Sequence, residues 1–112
     1  MRKIKGNITA LLQTKTGAFK NEIGEVVPKW ETAYTLVGFL DLSSGDSKYS
    51  SYNAKIQEST HIFVCDYQEL TAVTAENSRL IINGKIYDVM LIDDPMELHY
   101  QLEFYLKFTG GQ

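Results

Sequence analysis

Arg79-Leu80-Ile81-Ile82-Asn83-Gly84-Lys85-Ile86-Tyr87-Asp88-Val89 decides the fold of this chain. Asn-Gly between two apolar runs is the strongest short hairpin signal, because both central residues of a type I′ turn need positive φ. The second arm runs on from Lys85 to Asp93, Asp94-Pro95 supplies the next turn, and His99 to Phe108 alternates. Tyr100, Leu102, Phe104, Leu106 and Phe108 fall on one side of that segment, His99, Gln101, Glu103, Tyr105 and Lys107 on the other. This is the pattern of a strand with one face on a core.

Towards the amino terminus the same period recurs. Ile4, Ile8, Ala10 and Leu12 share one parity against Asn7, Thr9 and Gln13, which predicts a half-buried strand. Thr14 to Glu25, with two glycines, an asparagine and mixed charges, is expected to be an exposed hairpin connection. Val26 to Leu42 places Val26, Trp30, Tyr34, Leu36, Gly38, Leu40 and Leu42 on even positions, predicting one long strand or two bent ones entered past Pro28. Gly38 in its middle suggests a bulge or sharp bend. Ser43 to Ser59 breaks the pattern with serines and no core period, and reads as a long functional loop with room for a short helical turn at 53–58. Thr60 to Tyr67 is again a strand, apolar on both faces and therefore covered. Only Gln68 to Asn77 has any helical period, and the last four residues are expected to fray. The expected fold is all-β and mainly antiparallel: a small β-barrel of about six strands in one domain, residues 1–112, with a long loop at 43–59.

Composition narrows the function. At 112 residues, 44% hydrophobic and 22% charged, the chain can bury about two-thirds of its unfolded surface and form a core without staples. Its net charge of -3 has the wrong sign for a broad basic face on duplex DNA. A single cysteine, Cys65, allows no internal disulfide. The basic start Met1-Arg2-Lys3-Ile4-Lys5 is followed by an apolar run too short for a signal or a membrane span, so synthesis in the cytosol and no membrane partner are expected.

No catalytic set emerges. His61 and His99 lack metal-ligand spacing, and His99 sits on a polar strand face with no partner that the sequence offers. Cys65 lies in an apolar strand with no basic neighbour to activate it. Asp93-Asp94 before Pro95 is a turn former first, and Gly17, Gly24 and Gly45 stand alone without a phosphate-loop context. No enzyme activity, cofactor or metal is expected. Tyr49 and Tyr52 in the polar loop have no evident core and read equally as loop packing or as contact with a partner, since tyrosine is favoured at interfaces. Lys48 and Lys55 beside them are a thin version of the aromatic and basic interleaving of a single-strand nucleic-acid binder.

In order along the chain stand Gln13-Thr14-x-Thr16-Gly17, Asn21-Glu22-x-Gly24-Glu25, Trp30 and Tyr34, then the Ser/Gly loop. Thr60-His61-x-Phe63-Val64, Tyr67, Arg79 with Asn83-Gly84-Lys85-x-Tyr87-Asp88-Val89, Ile92-Asp93 and Leu102-Glu103-Phe104 follow. This order of features resembles the head-tail joining proteins of tailed bacteriophages and prophages, also called head-completion, head-closure or stopper proteins. The resemblance covers nearly the whole chain. It implies a ring, usually a dodecamer, below the portal and its adaptor, docking the tail, in the virion and during assembly in the host cytoplasm. The loop that faces the DNA channel in such proteins corresponds to Ser43, Ser44, Gly45, Asp46, Ser47, Lys48, Tyr49, Tyr52 and Lys55. Tyr49, Tyr52, Glu22 and Glu25 are the interface candidates. Many relatives carry an arginine just before the tyrosine matching Tyr67, where this chain has Asp66. Two other readings stand beside this one: an OB-like single-stranded nucleic-acid-binding module, and a minor capsid or tail-terminator protein. Steeply salt-dependent oligonucleotide binding would single out the nucleic-acid reading.

Overall fold

A computed structural model describes residues 5–42 and 59–111. Its six strands are β1 (Ile8–Lys20), β2 (Val26–Leu42), β3 (His61–Asp66), β4 (Ser78–Ile82), β5 (Lys85–Asp93) and β6 (Gln101–Gly111). All pairs are antiparallel, and they close into a barrel in the order β1-β2-β3-β6-β5-β4. Closure is completed by β4 on β1, from Ala10↔Ile82 to Thr14↔Ser78, which leaves the barrel wall with no open edge.

The inward parities are those the alternation requires. Ala10 and Leu12, Phe63 and Cys65, Leu80 and Ile82, and Leu102, Phe104 and Leu106 are all buried. Phe63 and Phe104 meet at 6.3 Å between ring centroids. The β4–β5 turn has φ of 53° at Asn83 and 75° at Gly84, the two positive values a type I′ turn demands.

Several expectations are corrected. Thr14 to Lys20 is no connection but the second half of β1, paired with β2 as far as Lys20↔Val26, and only the residues from 21 to 25 turn. Pro28 lies inside β2, opposite Ala18, in the outer half of the strand, which pairs with β1 alone. Gly38 marks no bulge: its register with Cys65 is regular, and a Cβ there would stand 2.1 Å from the Val64 carbonyl oxygen. The glycine permits close backbone approach instead. The bulge in β2 is at Ala33, where Leu12↔Tyr34 is followed by Gln13↔Thr32. One extra residue inverts the side-chain parity, so Trp30 pairs with Lys15 on the outer face rather than sharing the core face of Leu36.

Tyr100 and Phe108 are also not core: they are 55% and 43% exposed. Tyr100 precedes β6, in a segment where Met96, Glu97 and His99 all have positive φ, so the strand period does not extend to it. Phe108 lies where β6 approaches the barrel end and rests its ring against Tyr87 at 5.4 Å. Residues 68–77 form turns rather than a helix, and the single helical element among the described residues is a 3₁₀ turn, Pro95–Glu97. In the Asn77 corner, its backbone carbonyl accepts from the Lys15 N–H at 2.9 Å and its side-chain oxygen from the Thr74 N–H at 2.9 Å.

The barrel thus has two distinct ends. The outer half of the β1–β2 hairpin, the residues from 67 to 77 and those from 94 to 100 occupy one end. From the other, β2 leaves at Leu42 and β3 enters at His61, its direct pairing partner.

Candidate functional site

The described surface is dominated by the β1–β2 ribbon. From Lys15↔Trp30 to Lys20↔Val26 the two strands pair with each other only, and most of their side chains are exposed. The molecule measures 48 × 29 × 24 Å.

At the ribbon base an outward cluster ties three strands together. Arg79 of β4 donates from Nε to Gln13 Oε1 at 2.9 Å, and Gln13 Nε2 donates to Thr32 Oγ1 at 3.3 Å. The Arg79 guanidinium carbon lies 4.3 Å from the Trp30 ring centroid, and Lys15 Nζ lies 5.5 Å from it. Burial lowers the Arg79 pKa, and Asp88 on β5 pushes it the other way.

The ribbon tip is built around Asn21. Its side-chain oxygen accepts from the Ile23 and Glu25 N–H groups at 3.1 and 3.0 Å, and its Nδ2 donates to Glu25 Oε1 at 3.1 Å. Gly24 takes φ of +85°, which glycine adopts without strain. The fold of this turn leaves apolar side chains in water: Phe19 is 54%, Ile23 79% and Val26 69% exposed. Nothing in the barrel requires those residues to be apolar.

Beside the ribbon base, at the same end of the barrel, lies a groove of about 450 Å³ lined by Tyr67, Leu70, Val73, Ala75, Ile92 and Leu102 among others. Most of these side chains rest on the core below. Thr71 anchors the segment by donating its N–H to Tyr34 Oη at 2.9 Å. His99, for which the sequence offered no partner, has one here: its ring bonds to the Asp94 carboxylate, its N–H donates to Asp94 Oδ1 at 3.0 Å, and it stacks on Tyr67 at 4.5 Å. These contacts fix a surface loop beside the groove, with no nucleophile between them. His61 packs edge-on to Tyr87 at 5.1 Å and accepts or donates through Nδ1 to Thr60 Oγ1 at 2.8 Å.

Cys65 is buried, and desolvation, followed by the neighbouring Asp66, pushes its thiol up to about 12. Tyr105 rises to about 12 through burial first and then through Glu103, to which it donates at 3.1 Å. Among the described residues no group of three His, Cys, Asp or Glu could hold a metal ion, and no helix is long and apolar enough to cross a membrane.

Of the interface candidates, Glu22 and Glu25 stand exposed together at the ribbon tip. Ser43, Ser44, Gly45, Asp46, Ser47, Lys48, Tyr49, Tyr52 and Lys55 lie outside the described residues, as does the helical turn expected at 53–58. Ser59, the last residue of the expected loop, is buried beside β3. Phe19, Ile23 and Val26 are not among the interface candidates that the sequence offers. The available signal was an isoleucine enclosed by Glu22 and Gly24, a place too polar and too tightly turned to reach a core.

Comparison with known proteins gives a consistent picture. No curated protein matches the sequence. The solution structure of protein SF1141 from Shigella flexneri 2a is similar in fold, with a TM-score of 0.65 at 20% identity over 96% of each chain. At that identity the likeness concerns the fold alone. The family model for the phage head completion protein matches residues 1–107, from before β1 to near the end of β6, and the chain belongs to the phage head completion protein family.

Proposed function

We propose that this protein is a structural, non-enzymatic part of the phage or prophage head-tail connector, forming a ring below the portal and its adaptor that closes the filled head and offers the tail its docking surface. A role in phage head assembly comes with the family. The observation that carries the finer reading is the family match along residues 1–107 on a closed barrel whose two ends differ, one bearing a projecting ribbon and the other releasing the long β2–β3 connection. A ring component needs such polarity: one end faces the channel or the next ring, and another surface meets its neighbours. In this reading the segment from Ser43 to Lys55 faces the DNA channel, and the acidic net charge of -3 suits a passage that DNA must slide through without being gripped.

Loss of the gene is expected to leave filled heads that do not join tails, visible by electron microscopy and restored by expression of the protein in trans. Heads that still join tails in its absence would remove the connector role. Shortening Gly45 to Lys55 tests the channel segment separately. Leu42 and His61 are already paired across β2 and β3, so a short connection can close there without disturbing the barrel. The shortened protein is expected to fold and join heads that then lose DNA before tails attach, whereas normal DNA retention would limit the protein to a scaffold.

A further inference from the structure

Just before β1 the chain crosses the outside of the barrel. The Asn7 N–H still pairs with the Gly38 carbonyl oxygen at 3.1 Å. A Cβ on Gly6 would stand 2.3 Å from the Gly38 Cα and carbonyl oxygen, so the backbone there lies directly against β2. Lys5, with φ of 62°, then donates its N–H to Asp66 Oδ2 on β3 at 3.2 Å. Between Asn7 and Lys5 the chain has thus passed over β2 to β3.

The wall it enters is apolar. Val37 and Phe39 point outward from β2 and are 50% and 46% exposed. Phe39 pairs with Val64, and Ile62 with Tyr105, on the outward face opposite the buried Phe63 and Cys65. Beyond this patch the wall turns acidic. Val64 pairs with Glu103 and Glu103 with Asp93, which sets two carboxylates directly across from each other, an arrangement that repels unless a cation lies near. Asp66 stands on the same face, two residues from Val64. Among the described outward positions of β3 and β6 the one Lys or Arg is Lys107, and Asp88 lies opposite it.

The four residues before Lys5, Met1-Arg2-Lys3-Ile4, match both parts of the wall. Ile4 is bonded to Lys5 and so is held beside Asp66, within reach of Val64 and Phe39. Arg2 and Lys3 follow. Four extended residues span roughly 13 Å at about 3.3 Å each. Glu103 is a diagonal neighbour of Asp66, about 7–8 Å away, and Asp93 is about one strand spacing of 5 Å further.

We propose that residues 1–4 continue the crossing as a strap on the outer wall of their own barrel, with Ile4 covering Phe39 and Val64 and with Arg2 and Lys3 meeting Glu103 and Asp93. The strap closes this wall in the free subunit. Surface ion pairs hold weakly, so a partner that offers its own apolar and basic groups displaces the arm and takes its place. This inference stands on the barrel alone and is independent of the connector reading.

The test uses the full chain carrying Lys3→Cys with Gln101→Cys, which lies opposite Asp66. Cys65 is buried with its thiol pushed up to about 12, and so stays silent at pH 8. Oxidation at micromolar protein is expected to close a disulfide within one molecule, read by mass after proteolysis. A tether alone would also bring the thiols together at an effective concentration of about millimolar, but without dependence on charge. The strap therefore predicts a yield about tenfold lower once Arg2→Glu is added, and a similar loss in about 1 M salt, where the screening length falls to about 3 Å. Val64→Cys is the second wall position should Gln101→Cys lower the melting temperature. In the chain without added cysteines, Arg2→Glu with Lys3→Glu is expected to raise the fluorescence of an apolar dye several-fold at an unchanged melting temperature, because the wall is uncovered. Yields that ignore both charge reversal and salt would overturn the proposal. Disulfides formed between molecules instead of within them, or dye binding equal in the two proteins, would overturn it too.

Discussion

The guanidinium of Arg79 lies over the indole of Trp30, 4.3 Å from its ring centroid, although the two residues belong to strands that are not neighbours in the barrel. Arg79 reaches across β1, bonding Gln13 on the way, and clamps the base of the β2 arm to the wall. The Ala33 bulge makes this contact by turning Trp30 outward.

Arg79→Ala is expected to cost about 1 kcal/mol, the scale of a partly exposed cation–π pair with its hydrogen bond. Trp30 is the only tryptophan, so its fluorescence should shift in the folded variant and amides of the ribbon should exchange faster. Unchanged fluorescence would show that the stacking is absent in solution.

Phe104→Ala should destabilise by about 3 to 5 kcal/mol, because the ring is fully buried against Phe63 and leaves a cavity. Its neighbour Glu103 accepts from Gln101 and Tyr105 on the outer face, and Glu103→Ala should cost no more than about 1 kcal/mol. Denaturant titration of the two variants separates them.

Gly38→Ala should be among the most damaging small substitutions in the chain. The new methyl would sit 2.1 Å from the Val64 carbonyl oxygen, and a backbone atom in a paired strand cannot retreat. Val37→Ala, next to it and half exposed, is the control and should lower the melting temperature only slightly.

Stability should fall in alkali. Cys65 rises from 9.0, and Tyr105 from 10.0, each to about 12. Both groups hold their protons more tightly when folded, so their contribution is complete below about pH 9 and is lost as the pH climbs towards 12. Thermal melts between pH 7 and 11 should trace this decline, and Tyr105→Phe should flatten it. In the same range the Cys65 thiol should resist alkylation until the protein unfolds.

Light scattering of the isolated protein at micromolar concentration should give a monomer or weak association, as the proposed connector role, with assembly on an existing template, requires. A stable dodecamer there would contradict template-dependent assembly.

The parts of this protein legible in the sequence are those fixed by neighbouring residues. Asn83-Gly84 specified its turn because two positive φ values are a local demand, and Leu102, Phe104 and Leu106 specified a core face because strand side chains alternate. Six strands, a barrel and the family followed from such signals in order. What lies between strands distant in sequence was decided by the tertiary structure. The extra residue at Ala33 reverses the even-numbered face of β2, and Gly38 reads as a bend until Val64 is seen to press against it. Tyr100 keeps the strand period in sequence but stands outside the ladder, where left-handed residues carry the chain around a corner. Thr14 to Lys20 looks like a loop because an exposed ribbon buries neither face, and its strand is held by the backbone hydrogen bonds of a partner whose register the sequence does not state. A period records which side of a chain meets a core; the distance between two backbones, and the surface left over for another molecule, exist only once all six strands have closed on one another.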